Sequence, residues 1–274
     1  MGALGAPDTA VAQQARPLFS AERAPSAGPP IPIGAHANGC LAGGIALAES
    51  GPGWQAVRLS RNRNWGHPAT IAFLERLGAS ALGIGWPGIL IGDISQPRGG
   101  PVSGHSSHQI GLDADVWLRR PARRPLSLAE REQLGSTNVV AGNGRRVTAA
   151  WTAEHHALVK AAASDSAVAR IFVNPAIKLA LCEREPAGDR AWLRKIRSWS
   201  GHNSHMHIRL SCPAGATACV DQSPPPPGDG CGAELMSWFE PPDPNAAPPR
   251  RTGPPRGRNI ALADMPSRCV ALVR

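Results

Sequence analysis

The segment His205–Leu210 reads His-Met-His-Ile-Arg-Leu and alternates polar with apolar residues throughout, which predicts a β-strand. Successive side chains of a strand point to opposite faces, so the three apolar residues can enter a core while the two histidines and the arginine share the other face. His205 and His207 are then about 7 Å apart, given a rise of ~3.3 Å per residue. The segment therefore predicts a sheet with one polar face that carries two imidazoles.

A second stretch, His105–Leu118, ends in the same alternating pattern and places Asp113 and Asp115 on one strand face. His108 lies just before this strand, so His108, His207 and one carboxylate can converge if the two strands are neighbours. Two imidazoles and a carboxylate, with one position left for water, form the ligand set of a catalytic zinc centre, whereas structural zinc sites are normally closed by four protein ligands. A lone His-x-His pair would not justify this prediction, but two such windows together favour a metal site.

Other chemistries have little support in the sequence. The chain contains no His-Glu-x-x-His motif, so the glutamate base of thermolysin-like enzymes is missing and a histidine is expected to take its role. His205 is the candidate, because it shares a strand face with His207. The segment Gly104–His108 lacks the closing glycine of a serine nucleophile elbow. No phosphate-cradling or dinucleotide-binding glycine motif is present.

The two histidine windows resemble a known group of enzymes. The pattern Ser106-x-His108-x-x-Gly111-x-x-x-Asp115 together with His205-x-His207 is similar to the zinc peptidases that cut bacterial cell-wall peptides, the group of lysostaphin-type and D-alanyl-D-alanine metallopeptidases. Within this group the chain resembles the penicillin-insensitive murein endopeptidases most closely. The segments that carry this closer resemblance are Gly66–Pro68, Gly104–Gln109, Ile171–Lys178, His205–His207 and Gly228–Leu235.

The resemblance implies a role for each residue of the predicted site. His108, Asp115 and His207 correspond to zinc ligands, His205 to the catalytic histidine, and His202 to a second histidine of the site. The roles of two neighbouring side chains, His105 and Asp113, stay open.

The first open question is His105, which belongs to the motif and contacts either the metal or only one of its ligands. The second is Asp113, which either orients a ligand imidazole from behind or is a solvated strand residue. Relatives can hold a second metal through an aspartate and a histidine where this chain has Asn143 and Arg146. Asparagine is a weak neutral ligand and arginine offers no lone pair, so we expect one zinc ion.

The resemblance also implies the reaction, which is hydrolysis of the D-alanyl to meso-diaminopimelyl cross-links of peptidoglycan. Two alternatives stay open, a D-alanyl-D-alanine type carboxypeptidase and a non-catalytic, zinc-containing wall-binding module. A net charge of +9 suits peptidoglycan stem peptides, which carry carboxylates. Nucleic acid is not expected as a partner, because the tail arginines are interleaved with prolines and no recognition module is visible. No apolar run is long enough for a membrane span, and the sequence does not determine the oligomeric state.

Six widely spaced cysteines without a Cys-x-x-Cys motif favour disulfides and an oxidising compartment over a thiolate zinc site. Spacing alone leaves the pairing open. The resemblance implies Cys40 with Cys269, Cys182 with Cys231, and Cys212 with Cys219. We therefore expect a periplasmic enzyme in its mature form, because residues 1–20 show no signal peptide.

The chain predicts an α+β fold, because strand patterns do not alternate regularly with helix patterns. We expect a single domain with a mainly antiparallel central sheet, flanking helices and long Pro-rich loops. The predicted organisation is an extended or flexible segment over 1–35, a zinc peptidase domain over 36–240, and a Pro/Arg-rich tail over 241–274 that is tied back by a disulfide. Helices are predicted over 68–77, 153–163 and 189–197, and further strands over 89–94 and 168–173.

Overall fold

A computed structural model describes residues 13–241, 257 and 259–274. Residues 1–12, and residues 242–256 and 258 of the predicted Pro/Arg-rich tail, lie outside the described residues. The strands are β1 Ile31–Ala35, β2 Asn38–Ala42, β3 Ile45–Ala46, β4 Ser50–Gly51, β5 Trp54–Ala56, β6 Trp65–Gly66, β7 Ile89–Ile91, β8 Asp113–Trp117, β9 Val168–Val173, β10 Ile196–Ser198 and β11 His205–Leu210. The α-helices are α1 Ala15–Ala21, α2 Pro68–Gly83, α3 Leu128–Gln133, α4 Ala153–Ser164, α5 Pro175–Arg184, α6 Ala233–Met236 and α7 Ser267–Val270. The 3-10 turns are Leu59–Arg61, Ala191–Lys195, Ser237–Phe239 and Leu262–Asp264.

The centre of the fold is a seven-stranded sheet in the order β10-β9-β11-β8-β7-β5-β4. Four neighbouring pairs are antiparallel, and the pairs β10/β9 and β5/β7 are parallel. Helices pack beside this sheet, so the predicted α+β fold with a mainly antiparallel sheet is confirmed. Two short two-stranded ladders, β1/β2 and β3/β6, lie outside the central sheet.

Strand β11 lies between β8 and β9, and its alternating sequence is divided between the two faces as predicted. Met206, Ile208 and Leu210 are buried in the main core, which also takes Ala114 and Val116 from β8. Burial of apolar surface contributes roughly 25 cal/mol per Å², so a one-residue slip of β11 would lose this contribution and bury the polar set instead. The apolar residues therefore fix which face carries the histidines.

Helix α2 supports the sheet and shows why the Gly-His-Pro sequence before it matters. Pro68 begins the helix, where its missing N–H costs no hydrogen bond, and His67 Nδ1 accepts a hydrogen bond from the backbone N–H of Ala69. The predicted helix is confirmed and continues past Leu77 to Gly83. The predicted helix at 153–163 and the predicted strand at 168–173 are also confirmed.

Two predicted elements differ from the structure. The helix predicted over 189–197 is wrong, because this segment forms a 3-10 turn followed by β10. Ile196 pairs in parallel with Ile171 of β9 and is fully buried, so its place in the sheet outweighs the helical propensity of its neighbours. The strand predicted over 89–94 ends at Ile91. Beyond it the pairing becomes irregular, since Gly92 N–H donates to Asp115 O and Asp115 N–H donates to Asp93 O.

A smaller second core joins the two ends of the described chain. Helix α1, the β1/β2 hairpin and residues from the C-terminal segment bury Phe19, Ile33, Ile260 and Met265 together. Residues 15–21 and 31–35 thus adopt regular structure within the segment predicted to be extended or flexible, while the predicted division into domains stays a prediction. No helix among the described residues is both long and apolar enough to cross a membrane.

Three disulfides fasten the fold. They join Cys40 to Cys269, Cys182 to Cys231, and Cys212 to Cys219, which are the pairs that the resemblance implies. The first closes a loop of 229 residues between the smaller core's hairpin and α7. In the chain-entropy account, closing so long a loop stabilises the folded state by more than ~4 kcal/mol.

Candidate metal centre

The pairing of β8 with β11 brings the two histidine windows together. His207 lies opposite Asp115, and Arg209 lies opposite Asp113. All four side chains are on the polar face of the sheet, as the alternation predicts. His205, two residues before His207 on β11, lies opposite Trp117. The carboxylates and imidazoles that the sequence placed on separate strands are therefore neighbours in the folded chain.

His108 reaches this face from the loop before β8. Its backbone has a positive φ of 66°, which is uncommon for a residue other than glycine. Its Nδ1 atom lies 2.7 Å from the carbonyl oxygen of Ile94, and since a carbonyl only accepts, Nδ1 carries the proton and donates. In the neutral ring the lone pair is therefore on Nε2, which points toward β8 and β11. The ring is 1% exposed.

His207 is oriented from the opposite side by Asp113. The Nε2 atom of His207 donates to Asp113 Oδ1 at 2.9 Å, so the lone pair of the neutral ring is on Nδ1. Burial opposes ionisation of Asp113, but the Arg209 guanidinium beside it holds the pKa of that carboxyl well below its usual range. His36 Nδ1 also lies 3.0 Å from Asp113 Oδ2. Asp113 is completely buried, so the solvated alternative is excluded.

Three acceptor atoms then meet at one point. His108 Nε2 lies 3.1 Å from His207 Nδ1 and 3.3 Å from Asp115 Oδ1, and His207 Nδ1 lies 3.1 Å from the same oxygen. Asp115 Oδ1 is buried and receives no hydrogen bond of acceptable geometry. The outer nitrogens of both rings already donate elsewhere, so neither neutral ring can donate to this oxygen, and a cation between the three atoms would satisfy all of them. The residues present fit a metal ion, which His108, Asp115 and His207 could hold.

His105 lies at the edge of the same group. Its Nε2 atom donates to Asp93 Oδ2 at 3.0 Å, and its Nδ1 atom is 3.7 Å from Asp115 Oδ2. Ligand atoms of His105, His108 and Asp115 also lie within 4.8 Å of one another, and among the described residues this is a compact group of possible ligands in its own right. In the set of His108, Asp115 and His207 the possible ligand atoms lie closer together, and hydrogen bonds fix which nitrogen of each ring carries the proton. We therefore favour His207 as the third ligand and leave His105 beside it.

The two remaining histidines face the ligands without belonging to the tight group. His205 Nε2 is 3.9 Å from Asp115 Oδ1, and burial lowers the pKa of this imidazole. His202 Nδ1 donates to the carbonyl oxygen of Ser200, and burial lowers the pKa of His202 to about 4. The two ring centroids are 4.8 Å apart. Both rings are thus held neutral near pH 7, which is the state in which an imidazole accepts a proton.

His202 is held in an uncommon backbone conformation by a residue that sequence reasoning missed. Its φ is +50°. The backbone N–H of Asn174 donates to the carbonyl oxygen of His202, and Asn174 Nδ2 donates to that of Gly201. The Asn174 side chain also caps helix α5 through its Oδ1 atom. A polar residue before Pro175 signals a helix cap, but nothing in the sequence indicates its second contact.

Asp93 is the other functional side chain that the sequence did not identify. It is buried at the irregular end of β7 and bonds to His105 and to Arg63. Burial opposes ionisation, but the hydrogen bond from His105 and the Arg63 guanidinium hold the pKa of Asp93 far below its usual range. A lone aspartate inside an apolar stretch was the available signal. The exposed residues Asn143 and Arg146 occupy a surface turn, in which Asn143 Oδ1 accepts from the backbone N–H of Arg145.

Two hollows adjoin the ligand group, which is the set of His108, Asp115 and His207. One, of about 510 Å³, is called the Phe172 hollow, and the other, of about 400 Å³, is called the Arg61 hollow. The Phe172 hollow is lined by residues that include Ser106, Phe172, Trp199, His202, His207 and Arg209. The Arg61 hollow is lined by residues that include Arg58, Arg61, Asp93, Asp115, Trp117 and His205. His105 lines both, so the ligands lie between two open spaces.

The α+β fold carries a buried group of histidines and aspartates that is compatible with a metal ion, and this arrangement is typical of metal-dependent hydrolases. A family model described as penicillin-insensitive murein endopeptidase matches residues 32–274, and the chain belongs to this family. It is 50% identical to the penicillin-insensitive murein endopeptidase of Haemophilus influenzae over 218 residues, which are 79% of this chain and 76% of that protein.

Two further relatives carry the same name. The protein of Klebsiella pneumoniae subsp. pneumoniae is 46% identical over 243 residues, which are 88% of this chain and 85% of that protein. The protein of Yersinia pestis bv. Antiqua is 45% identical over 251 residues, which are 91% of this chain and 87% of that protein. The family suggested by the sequence motifs is thus confirmed over most of the chain, and the chain is a peptidase.

Proposed function

We propose that this protein is a periplasmic zinc endopeptidase that hydrolyses the D-alanyl to meso-diaminopimelyl cross-links of peptidoglycan. The names of the relatives support murein as the substrate. Three disulfides and a net charge of +9 fit an exported enzyme that acts on a polymer rich in carboxylates. The observation that carries the proposal is the buried Asp115 Oδ1 atom, which faces two imidazole lone pairs and has no hydrogen bond of its own.

His108, Asp115 and His207 would hold the zinc ion. When bound, zinc polarises a peptide carbonyl and makes hydroxide available near neutral pH. Asp113 and the carbonyl of Ile94 fix the two ligand rings by accepting their outer N–H groups. Such outer contacts keep the lone pairs aimed at the ion and spare the rings from reorienting when it binds.

His205 and His202 are placed to move protons. His205 Nε2 is the ring atom nearest to Asp115, and its lowered pKa leaves it neutral and able to accept a proton from the attacking water. His202 donates through Nδ1 to Ser200, so its free lone pair is on Nε2. The proton taken up can then be returned to the leaving amine, or the resulting imidazolium can stabilise the charge that develops on the carbonyl oxygen.

The two hollows favour an endopeptidase over a carboxypeptidase. An enzyme that trims a terminal residue needs a cleft that ends just beyond the reacting bond, whereas a cross-link continues on both sides of it. The Phe172 hollow is lined in part by the proposed ligand His207, the Arg61 hollow in part by the proposed ligand Asp115, and His105 lines both. This arrangement can accept peptide on both sides of the scissile bond.

Purified protein incubated with cross-linked muropeptide dimers tests the proposal. We expect conversion to monomers, loss of this activity with a chelator, and its return when zinc is added. Release of free alanine with intact dimers would instead identify a carboxypeptidase, and murein binding without turnover would identify a wall-binding module. Arg76→Gln, a change on the exposed face of α2 that lines neither hollow, serves as the control for general effects of substitution.

A further inference from the structure

The Arg61 hollow is lined by two arginines and two aspartates, so the charge free for a ligand depends on how far the aspartates are engaged elsewhere. Arg58 and Arg61 enter its wall from the first 3-10 turn, and Arg63 follows two residues later. The carboxylates close to them are Asp93 and Glu132. Glu132 already accepts hydrogen bonds from the backbone N–H and the hydroxyl of Ser60. Asp115 also lines this hollow, but it is one of the proposed metal ligands.

Arg58 is held by backbone groups and has no carboxylate in direct ion-pair contact among the described residues. Its guanidinium donates to the carbonyl oxygens of Glu132 and Leu134. Its Nε atom is buried and has no hydrogen-bond partner. An unpartnered buried donor on a permanently charged group costs free energy. Arg58 therefore keeps an unneutralised positive charge beside the Arg61 hollow, although its Nε atom itself is closed to a ligand.

Arg61 is only loosely engaged. Its side chain is 46% exposed, and one guanidinium nitrogen lies 3.3 Å from both oxygens of Asp93. Asp93 is bound more closely by Arg63 at 2.7 Å and by His105 at 3.0 Å. One carboxylate is thus shared among three donors, and Arg61 can turn toward a second anion without leaving Asp93 unpaired.

The turn that presents both arginines has a strained backbone at each end. Arg58 and Asn62 have φ values of 60° and 53°, which residues other than glycine seldom adopt. Hydrogen bonds hold both positions, from Arg58 N–H to the carbonyl of Arg131 and from Trp65 Nε1 to Asn62 Oδ1. A fixed turn keeps the guanidinium groups in place before a ligand arrives, which lowers the entropy cost of binding.

We propose that the Arg61 hollow binds a carboxylate group of the peptide on one side of the scissile bond, through the exposed guanidinium of Arg61, with the positive charge of Arg58 beside it. Arginine suits this task because its planar fork matches the two oxygens of a carboxylate. The inference rests on the proposed function, since it names a binding site for one end of that substrate. Either a terminal carboxylate of the stem peptide or a side-chain carboxylate of its diamino acid offers the required chemistry.

The test compares Arg61→Gln with the native enzyme on three forms of one cross-linked muropeptide dimer. The first form has free carboxylates, the second is amidated at the peptide terminus, and the third is amidated at the diamino acid. We expect Arg61→Gln to raise KM for the free form about 10-fold to 100-fold, as for the loss of a charged hydrogen bond, with a smaller change in kcat. Amidation of the recognised carboxylate should raise KM of the native enzyme similarly and should not weaken the variant further.

Matched variants make the result specific. Arg61→Lys keeps the charge and should recover part of the affinity, whereas the exposed Arg76→Gln should leave KM unchanged. Arg58→Gln, which removes the positive charge beside Arg61, should raise KM in the same direction as Arg61→Gln but by less. Equal KM of native enzyme and Arg61→Gln on all three forms would overturn the inference. Failure of the native enzyme to cleave any form would instead overturn the proposed function, so the two failures are distinguishable.

Discussion

Asp113 Oδ1 accepts a hydrogen bond from His207 Nε2 at 2.9 Å, and the same oxygen lies 2.8 Å from Arg209 Nε. The pair fixes which nitrogen of His207 faces His108 and Asp115. One strand thus supplies both a proposed ligand, Asp115, and the carboxylate that orients another ligand on the neighbouring strand. The alternation of side chains by two residues makes this possible, because Asp113 and Asp115 share one face.

Asp113→Asn is expected to weaken zinc binding about 10-fold to 100-fold, the usual effect of removing a group that supports a ligand imidazole. The asparagine keeps the shape of the side chain but removes the negative charge that faces His207 and Arg209. Competition with a chromogenic chelator measures the dissociation constant. Asp165→Asn, at a surface ion pair with Arg76, is the matched control. An unchanged zinc affinity in Asp113→Asn would show that Asp113 does not support the site.

His205→Ala and His207→Ala should separate proton transfer from metal binding. His205→Ala is expected to retain zinc and to lose ~10²-fold to 10⁴-fold in turnover, the range for a positioned acid or base. His207→Ala should lose the metal itself. Metal analysis of both variants beside their activities provides the measurement. Full activity in His205→Ala would transfer the role to His202, and zinc retained in His207→Ala would remove His207 from the ligand set.

Zinc affinity should fall as the pH is lowered. Burial alone would lower the pKa of His207, but the Asp113 charge, the hydrogen bond to Asp113 and the Asp115 charge raise it above its usual value. Below that raised pKa the metal must displace a proton from Nδ1, so binding weakens with acidification and releases a proton. Calorimetric titrations of the metal-free protein in buffers of different ionisation enthalpy count this proton. Binding without proton release below pH 6.5, the ordinary imidazole value, would contradict this description of the site.

Lys178 gives a pH-dependent contribution to stability that is independent of the metal. Its ammonium donates to the carbonyl oxygens of Leu193 and Asp229, and burial lowers its pKa to about 7. Between pH 7 and the ordinary value of 10.5 the unfolded chain binds the extra proton, so the free energy of unfolding rises with pH in that window.

The slope from one such proton is at most ~1.4 kcal/mol per pH unit. Lys178→Met removes it, so the native protein should gain stability relative to this variant between pH 7 and pH 9. Urea unfolding with the disulfides intact at several pH values measures the difference. A constant difference between the two proteins across this range would show that Lys178 does not titrate there.

The sequence predicted the centre of the sheet and most of the proposed site because both depend on a two-residue period. The alternation in β8 and β11 divides apolar from polar residues and predicted that His207 and one of the two carboxylates converge, while the resemblance implied that this carboxylate is Asp115. Asp93 could not be placed in this way, because it enters the site through an irregularity at the end of β7 that the pattern does not encode. The two arginines that line the Arg61 hollow, Arg58 and Arg61, were missed for a similar reason.

The position of these two arginines depends on a turn with positive φ values at Arg58 and Asn62, and no sequence rule indicates such a turn there. The wrong helix over 189–197 has another cause. Local residues such as Arg194 and Lys195 favour a helix, but Ile196 pairs with β9 and tertiary packing decides the outcome. Local propensity therefore failed where a neighbouring strand competes for the same residues.

The central claim is that His108, Asp115 and His207 bind one catalytic zinc ion. Titration of the metal-free enzyme with zinc, followed by cleavage of a muropeptide dimer, tests it most directly. We predict that activity rises in proportion to added zinc and reaches its plateau at one ion per chain. A plateau at two ions, or full activity in the metal-free protein, would contradict the claim.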